Sequence, residues 1–222
     1  MSITPQEAEF EQGMDELYKE FKMQFKDEFI FDQVHSYYKE NPYVAREPLQ
    51  RFQESKLLFS QKFYTSAFLF AVVSIEVGIK FIALKPILYS LAFNTAAGEL
   101  LYENTFKLKG ISQIPNLYFH VLKDTTDMDL KDIKRAKGSK KLWDELSDLQ
   151  KLRNEVLHQA RTIIRQESEQ SIEIAESVYN EIIPKVLDKF SFHLKDGKIS
   201  YGTLSYLEII ARFEDKSRSK NI

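Results

Sequence analysis

Apolar residues recur along this chain at spacings of three and four, so one helix is predicted after another. Thr4-Pro5-Gln6-Glu7 reads as a helix start, with Thr4 as N-cap, Pro5 at the first helical position and Glu7 reaching back as a capping box. Phe10, Met14, Leu17, Phe21, Phe25 and Phe29 then keep the helical period, and Asn41-Pro42 should end it. That stripe predicts a helix packed on the body; its largely acidic polar face argues against a membrane surface. From Pro48 to about Asn94 the pattern is helical again and becomes apolar all round between Ala67 and Leu84, which suits the centre of a bundle.

Gly98 to Asn116 reads as a broken helix and loop punctuated by Gly110 and Pro115, with a short helix over Leu117 to Lys123. Leu142, Leu146, Leu149, Leu152, Val156, Ala160 and Ile163 form the buried stripe of the next helix. Gln166 to Gln170 is read as a turn. Ile172, Ala175, Tyr179, Ile182, Val186 and Phe190 predict an amphipathic helix kinked at Pro184. Asp196-Gly197 marks a turn, and Thr203 to Phe213 a last short helix before a polar, basic tail. The expected architecture is all-α: an up-and-down helical bundle in one domain over residues 1–222. It divides into an N-terminal helical extension (1–46), a core (48–193), and a C-terminal short helix with tail (194–222).

Composition sharpens this picture. Seventeen Phe and eleven Tyr against seven Gly and six Pro favour long elements over tight turns, as in a bundle. The net charge of −2 gives no global nucleic-acid signature, so any basic patch must be local. With no cysteine there is no disulfide or thiolate chemistry, which fits a cytoplasmic protein. The longest uncharged stretch, Phe63 to Ile75, falls short of the ~20 residues of a bilayer span, so no membrane segment is expected. Signatures of zinc hydrolases, P-loop ATPases and α/β-hydrolases are missing, and four scattered His make a His-rich metal site improbable. No metal and no cofactor is expected.

The chemistry gathers on Leu149-Gln-Lys-Leu-Arg-Asn-Glu-Val-Leu-His-Gln159. At about 100° per residue, Ser147, Lys151, Asn154, His158, Arg161 and Arg165 fall in one polar, basic sector. Arg153 instead projects near the apolar stripe, where an unpartnered guanidinium would cost several kcal/mol on the scale of about 3–5 for buried charges. It needs a carboxylate, a second chain or a phosphate, and Glu76 on the apolar second helix is one candidate. Lys131 to Lys141 carries six basic residues against one acid; such a run is usually only a solvated face, but beside this helix Lys134, Arg135, Lys137, Lys140 and Lys141 are where a phosphate backbone would be gripped.

Arg153-Asn-Glu-Val-Leu-His158 resembles the signature of the HEPN superfamily (higher eukaryotes and prokaryotes nucleotide-binding domain), an Arg followed after four to six residues by a His, often with a polar residue after the Arg. Asn154 fills the polar slot, and Ser74-Ile-Glu-Val-Gly-Ile-Lys80 supplies the apolar helix with an embedded acid that such chains often carry. The resemblance spans roughly residues 50 to 193. Asp148 fits the acid that some members have before the Arg, whereas Leu152 stands where those members have Lys. The resemblance implies metal-independent RNA cleavage in a composite cleft between two copies of a homodimer. Arg153, Asn154 and His158 would be catalytic, Lys151, Arg161 and Arg165 would attract RNA, and Glu76 and Asp148 would support them. It also implies a bacterial toxin or phage-defence effector held in check by an antitoxin or regulatory partner. Three readings stay open beside it: a buried Arg–Glu pair with an exposed Asn154 and His158 and no chemistry, a non-catalytic module binding nucleotide, RNA or a partner protein, and a helical interaction protein whose apolar faces mediate assembly.

Overall fold

The first helix, α1 (Pro5–Glu40), stops where Pro42 forbids another turn, and Asn41 donates its side-chain amide back to the Tyr37 carbonyl at 3.0 Å. The computed structural model describes residues 5–92, 95–104, 115–126, 128–129, 131–135, 138 and 140–202. Thr4, Lys137 and the segment 203–213 lie outside them. The protein is an all-α helical bundle, with two short strands among the described residues.

The two halves of α1 behave differently. Ile30, Val34, Tyr37 and Tyr38 are buried in the body, whereas Met14, Leu17, Tyr18, Phe21, Phe25 and Phe29 are 40–70% exposed. Among the described residues, the stripe expected to pack on the body is exposed from Met14 to Phe25. The cause is phase: at about 100° per residue, the buried positions lie roughly opposite Met14, and one straight helix cannot turn both sides to the same core.

Helices α2 (Arg46–Ser60) and α3 (Tyr64–Gly78) form a hairpin where the sequence pattern ran on unbroken. Lys62 makes the turn in the left-handed region at φ 67°. No Gly or Pro signals it. Beyond α3 the chain passes through a π-helical segment (Ile79–Leu84) into α4 (Lys85–Ser90). Pro86 has no N–H for the Ile82 carbonyl four residues back, and the buried Tyr38 hydroxyl donates to that carbonyl instead, at 2.5 Å. Burial holds the Tyr38 hydroxyl well above the usual phenol range, so it keeps its proton. The stretch Tyr64–Ser90 is long and apolar enough to cross a membrane; its most apolar 18-residue window has a mean hydropathy of 2.2, and 67% of that window is buried inside the bundle.

Then come α5 (Thr95–Tyr102), α6 (Pro115–Thr126), α7 (Leu142–Gln159), α8 (Arg165–Ser177), a second π-helical segment (Val178–Ile182) and α9 (Ile183–Lys189). Pro115 opens α6 at its first position instead of ending a loop. Gln166 to Gln170, read as a turn, form the first turns of α8 because Glu167 accepts the Ile164 N–H at 3.1 Å and caps the helix. The π-helical segment before Pro184 absorbs the missing hydrogen bond that the sequence read as a kink. Strands β1 (Phe192–Lys195) and β2 (Lys198–Tyr201) close a hairpin across the expected core boundary at residue 193. Asp196 (φ 50°) and Gly197 (φ 76°) supply the two positive φ values that a two-residue turn needs. Ile199 N–H donates to the Pro42 carbonyl at 2.7 Å and ties the hairpin to the end of α1.

A polar knot joins α2, α3 and the second π-helical segment. The Tyr179 hydroxyl donates to the Ser74 carbonyl at 2.8 Å and lies 2.9 Å from Ser74 Oγ, which donates to the Pro48 carbonyl at 3.0 Å. Gly78 leaves room for it, because a Cβ there would sit 2.6 Å from Tyr179 Oη. Replacing Gly78 by Ala should therefore cost about 1–3 kcal/mol, read as a lower urea midpoint with unchanged slope. An unchanged midpoint would mean that Tyr179 is free to move.

His35 packs between Phe192 (4.9 Å between ring centroids) and Tyr201 (4.4 Å). Partial burial, helped by Lys39 and opposed by Asp32, holds its imidazole below the usual 6.5. The neutral ring is thus preferred in the folded state, so its contribution is complete above about pH 6.5 and lost as the pH falls below that. Thermal unfolding followed from pH 8 to 5 should show a drop that His35→Leu diminishes; identical pH profiles would remove His35 from the account.

Candidate functional site

Helix α7 forms because Leu142, Leu146, Leu149 and Val156 bury one stripe while Asp144 and Glu145 in the first turn complement the helix dipole. It ends at Gln159, where Ala160 turns left-handed at φ 54°. The polar face expected to run through Arg161 and Arg165 is therefore cut after His158. Arg161 lies in the irregular link to α8, bonded to Glu155 and, at 2.6 Å, to Glu167; Arg165 begins α8.

Arg153 meets Glu76 of α3. Its Nη1 donates to both carboxylate oxygens, at 2.9 and 2.8 Å, and Gln150 Nε2 donates to Glu76 Oε1 at 2.9 Å. Arg153 Nη2 donates to Asn154 Oδ1 at 3.1 Å, while its Nε is buried with no hydrogen-bond partner. The pair is neither dry nor fully solvated: the Arg153 side chain is 23% exposed and that of Glu76 12%. Lys80, one turn beyond Glu76, feels both charges. Burial holds its ammonium below the ordinary range, Arg153 adds to that shift and Glu76 opposes it.

Asn154 and His158 are exposed one turn apart on α7, His158 in the last turn. The two helices run antiparallel here, since Arg153 lies beside Glu76 and the Ile163 N–H donates to Thr65 Oγ1 at 3.1 Å. Leu157, a turn past Arg153, and Val73, a turn before Glu76, thus fall at one level on one side. They are 59% and 39% exposed. The Arg153–Asn154 edge therefore borders an uncovered apolar patch. Below it, Val72, Ile75, Glu76, Leu146, Leu149 and Gln150 line a recess of about 10 Å³, room for one water and far below the ~300 Å³ at which ligand pockets begin. A nucleotide does not fit inside; a polyanion would have to lie across the surface.

The basic run upstream of α7 is mostly committed elsewhere. Arg135, expected to grip RNA, is only 6% exposed. It makes two hydrogen bonds to Glu145, at 2.7 and 2.8 Å, and one to Glu173 at 3.3 Å. It anchors the loop to α7 and α8, because a guanidinium so buried must be neutralised. Lys140 bonds Asp148 at 2.7 Å and Lys141 bonds Asp132 at 3.1 Å. Asp148 also meets Lys151 at 3.5 Å, and the Lys140 hydrogen bond holds its carboxyl below the usual range. Asp148 therefore anchors two lysines. Lys134 and Arg165 are exposed. Gln150 was not singled out by its sequence, although it stands three positions before Arg153 on the same side of the helix.

No protein-family model, curated protein or solved structure matches this chain.

The Glu76–Arg153 coupling is measurable. A double-mutant cycle with Glu76→Gln and Arg153→Met should give a coupling energy of about 1–3 kcal/mol from denaturant midpoints, the range for groups sharing a partly buried network. A value below about 0.5 kcal/mol would place the pair with ordinary surface ion pairs.

Proposed function

We propose that the protein is an endoribonuclease of HEPN type, cutting RNA without a metal in a cleft shared by two copies of the chain. The observation that carries this reading is the placement of Arg153, Asn154 and His158 along one edge of the uncovered Val73–Leu157 patch. A second copy docked there removes the patch from water and brings two such edges together.

In that cleft the neutral His158 of one copy takes the proton of a ribose 2′-hydroxyl, and the 2′-oxygen attacks the adjacent phosphorus. The bond to the 5′-oxygen breaks, and the protonated His158 of the other copy supplies its proton. The products are a 2′,3′-cyclic phosphate and a free 5′-hydroxyl. Arg153 meets the phosphate through Nη2 while Nη1 stays on Glu76, which aims the guanidinium and keeps it from collapsing onto solvent. Asn154 fixes the Nη2 end. A toxin or defence role, with an antitoxin or regulatory protein restraining it, follows from the same family likeness.

One observation favours a second reading. Glu76 already neutralises Arg153 within the chain, which suits a module that binds RNA or a partner protein without cutting. Incubation with single-stranded RNA in excess EDTA separates the two. Cleavage to cyclic-phosphate ends is expected, falling at least about 100-fold in His158→Ala and in Arg153→Met, the scale for loss of a general acid–base. Cleavage indifferent to both changes would refute the mechanism. RNA bound but left intact by the wild type would establish the second reading.

A further inference from the structure

Two arginines that reach into this fold spend their donors differently. A guanidinium carries one N–H on Nε and two on each Nη, and its planarity sets Nε–H parallel to one N–H of Nη2. Arg135 closes that edge. Its Nε and Nη2 donate to the two oxygens of Glu145, at 2.7 and 2.8 Å, and its Nη1 donates to Glu173 at 3.3 Å. Arg153 leaves the same edge open. Both of its bonds to Glu76 come from Nη1, Asn154 Oδ1 takes one from Nη2, and Nε is buried with no acceptor. Among the described residues, Nε–H and the second N–H of Nη2 therefore have no protein group to meet.

A desolvated N–H without a partner is a cost that folded chains rarely keep. This one belongs to a side chain that reaches the surface, 23% exposed. An arginine held by two nitrogens, as Arg135 is, cannot turn. Held on Glu76 by Nη1 alone, Arg153 can pivot about that contact and bring its Nε–Nη2 edge outward without giving up the carboxylate. What meets two parallel N–H groups on a cation is an anion with two oxygens side by side. Next to Asn154 and His158, the phosphate is the anion whose chemistry the neighbouring groups can use.

We infer that the Nε–Nη2 edge of Arg153 is a two-pronged phosphate site, which takes both unesterified oxygens of one phosphodiester while Nη1 stays on Glu76. This rests on the reading of α7 as an RNA-cutting edge, and adds which atoms hold the phosphate and which esters qualify. With its unesterified oxygens on Arg153, the phosphate turns its two ester oxygens away from the guanidinium. In the five-coordinate transition state the gripped oxygens are equatorial and gain charge, so the edge holds that state more tightly than the ground state.

The test uses a dinucleotide with a 2′-O-methyl group, which has one phosphate and cannot be cut. Arg153→Lys keeps the charge and loses the edge, so affinity should fall about 10-fold or more while the salt dependence of binding is unchanged. Replacing either unesterified oxygen by sulfur should weaken binding to the wild type, whichever diastereomer is used. Inorganic phosphate should displace the dinucleotide; trimethyl phosphate, with one unesterified oxygen, should not. Equal affinity of wild type and Arg153→Lys would overturn the site. So would one sulfur diastereomer binding as well as the parent, a comparison that needs no variant to fold, or a wild type that binds neither the dinucleotide nor phosphate. Two-pronged binding without cleavage of any longer RNA would establish the site and refute the nuclease reading alone.

Discussion

A single guanidinium sets the constraint on this fold. Arg153 sits on the side of α7 that faces α3, and that position is tolerable only because Glu76 projects from an otherwise apolar helix to meet it with both oxygens. The need is mutual, since Glu76 among Val72, Ile75 and Leu149 would be an unpaired buried carboxylate without Arg153 and Gln150. Whatever fixes α3 therefore fixes the functional edge. α3 is fixed in turn by the Ser74–Tyr179–Pro48 knot and by the Tyr38 hydroxyl that caps the Ile82 carbonyl released by Pro86. The central helix can carry a proline and an acid because each polar consequence is answered from another helix.

The pair also shapes what α7 offers to solvent. Glu76 occupies Nη1, so the outward-facing Nη2 and Asn154 form the accessible polar edge, with His158 a turn beyond Asn154. Most of the neighbouring positive charge is already spent: Arg135 is buried against Glu145, Lys140 and Lys151 share Asp148, and Arg161 lies between Glu155 and Glu167. What remains beside the edge is apolar, Leu157 and Val73, and it is on this surface that the proposal of a second copy rests.

Much of this was legible from residues alone, and the failures have physical causes. The end of α1 at Asn41-Pro42, the apolar stripe of α7, the Asp196-Gly197 turn and the candidacy of Glu76 all follow from local stereochemistry or from the cost of a stranded charge. The turn at Lys62 was invisible because a left-handed Lys carries no compositional mark. The β-hairpin was missed because four-residue strands hold too little alternation to register as a period. Arg135 looked like part of a solvated basic run, since its acceptors, Glu145 and Glu173, come 10 and 38 residues later. From Met14 to Phe25 the α1 stripe is apolar as its period predicts and yet exposed: periodicity reveals that a face needs covering, but only the tertiary fold shows from which side the body approaches.

The central claim is that Arg153 is poised between an internal carboxylate and an external phosphate. The measurement closest to it is an NMR titration of the Arg153 Nε–H resonance with a short RNA whose 2′-oxygens are methylated, so that binding proceeds and cleavage cannot. The account predicts an Nε–H slow to exchange in the free protein, shifted together with the His158 ring signals at one saturating RNA concentration, and shifted differently in Glu76→Gln. An Arg153 resonance indifferent to RNA, while other signals move, would show that the guanidinium serves only to join α3 to α7.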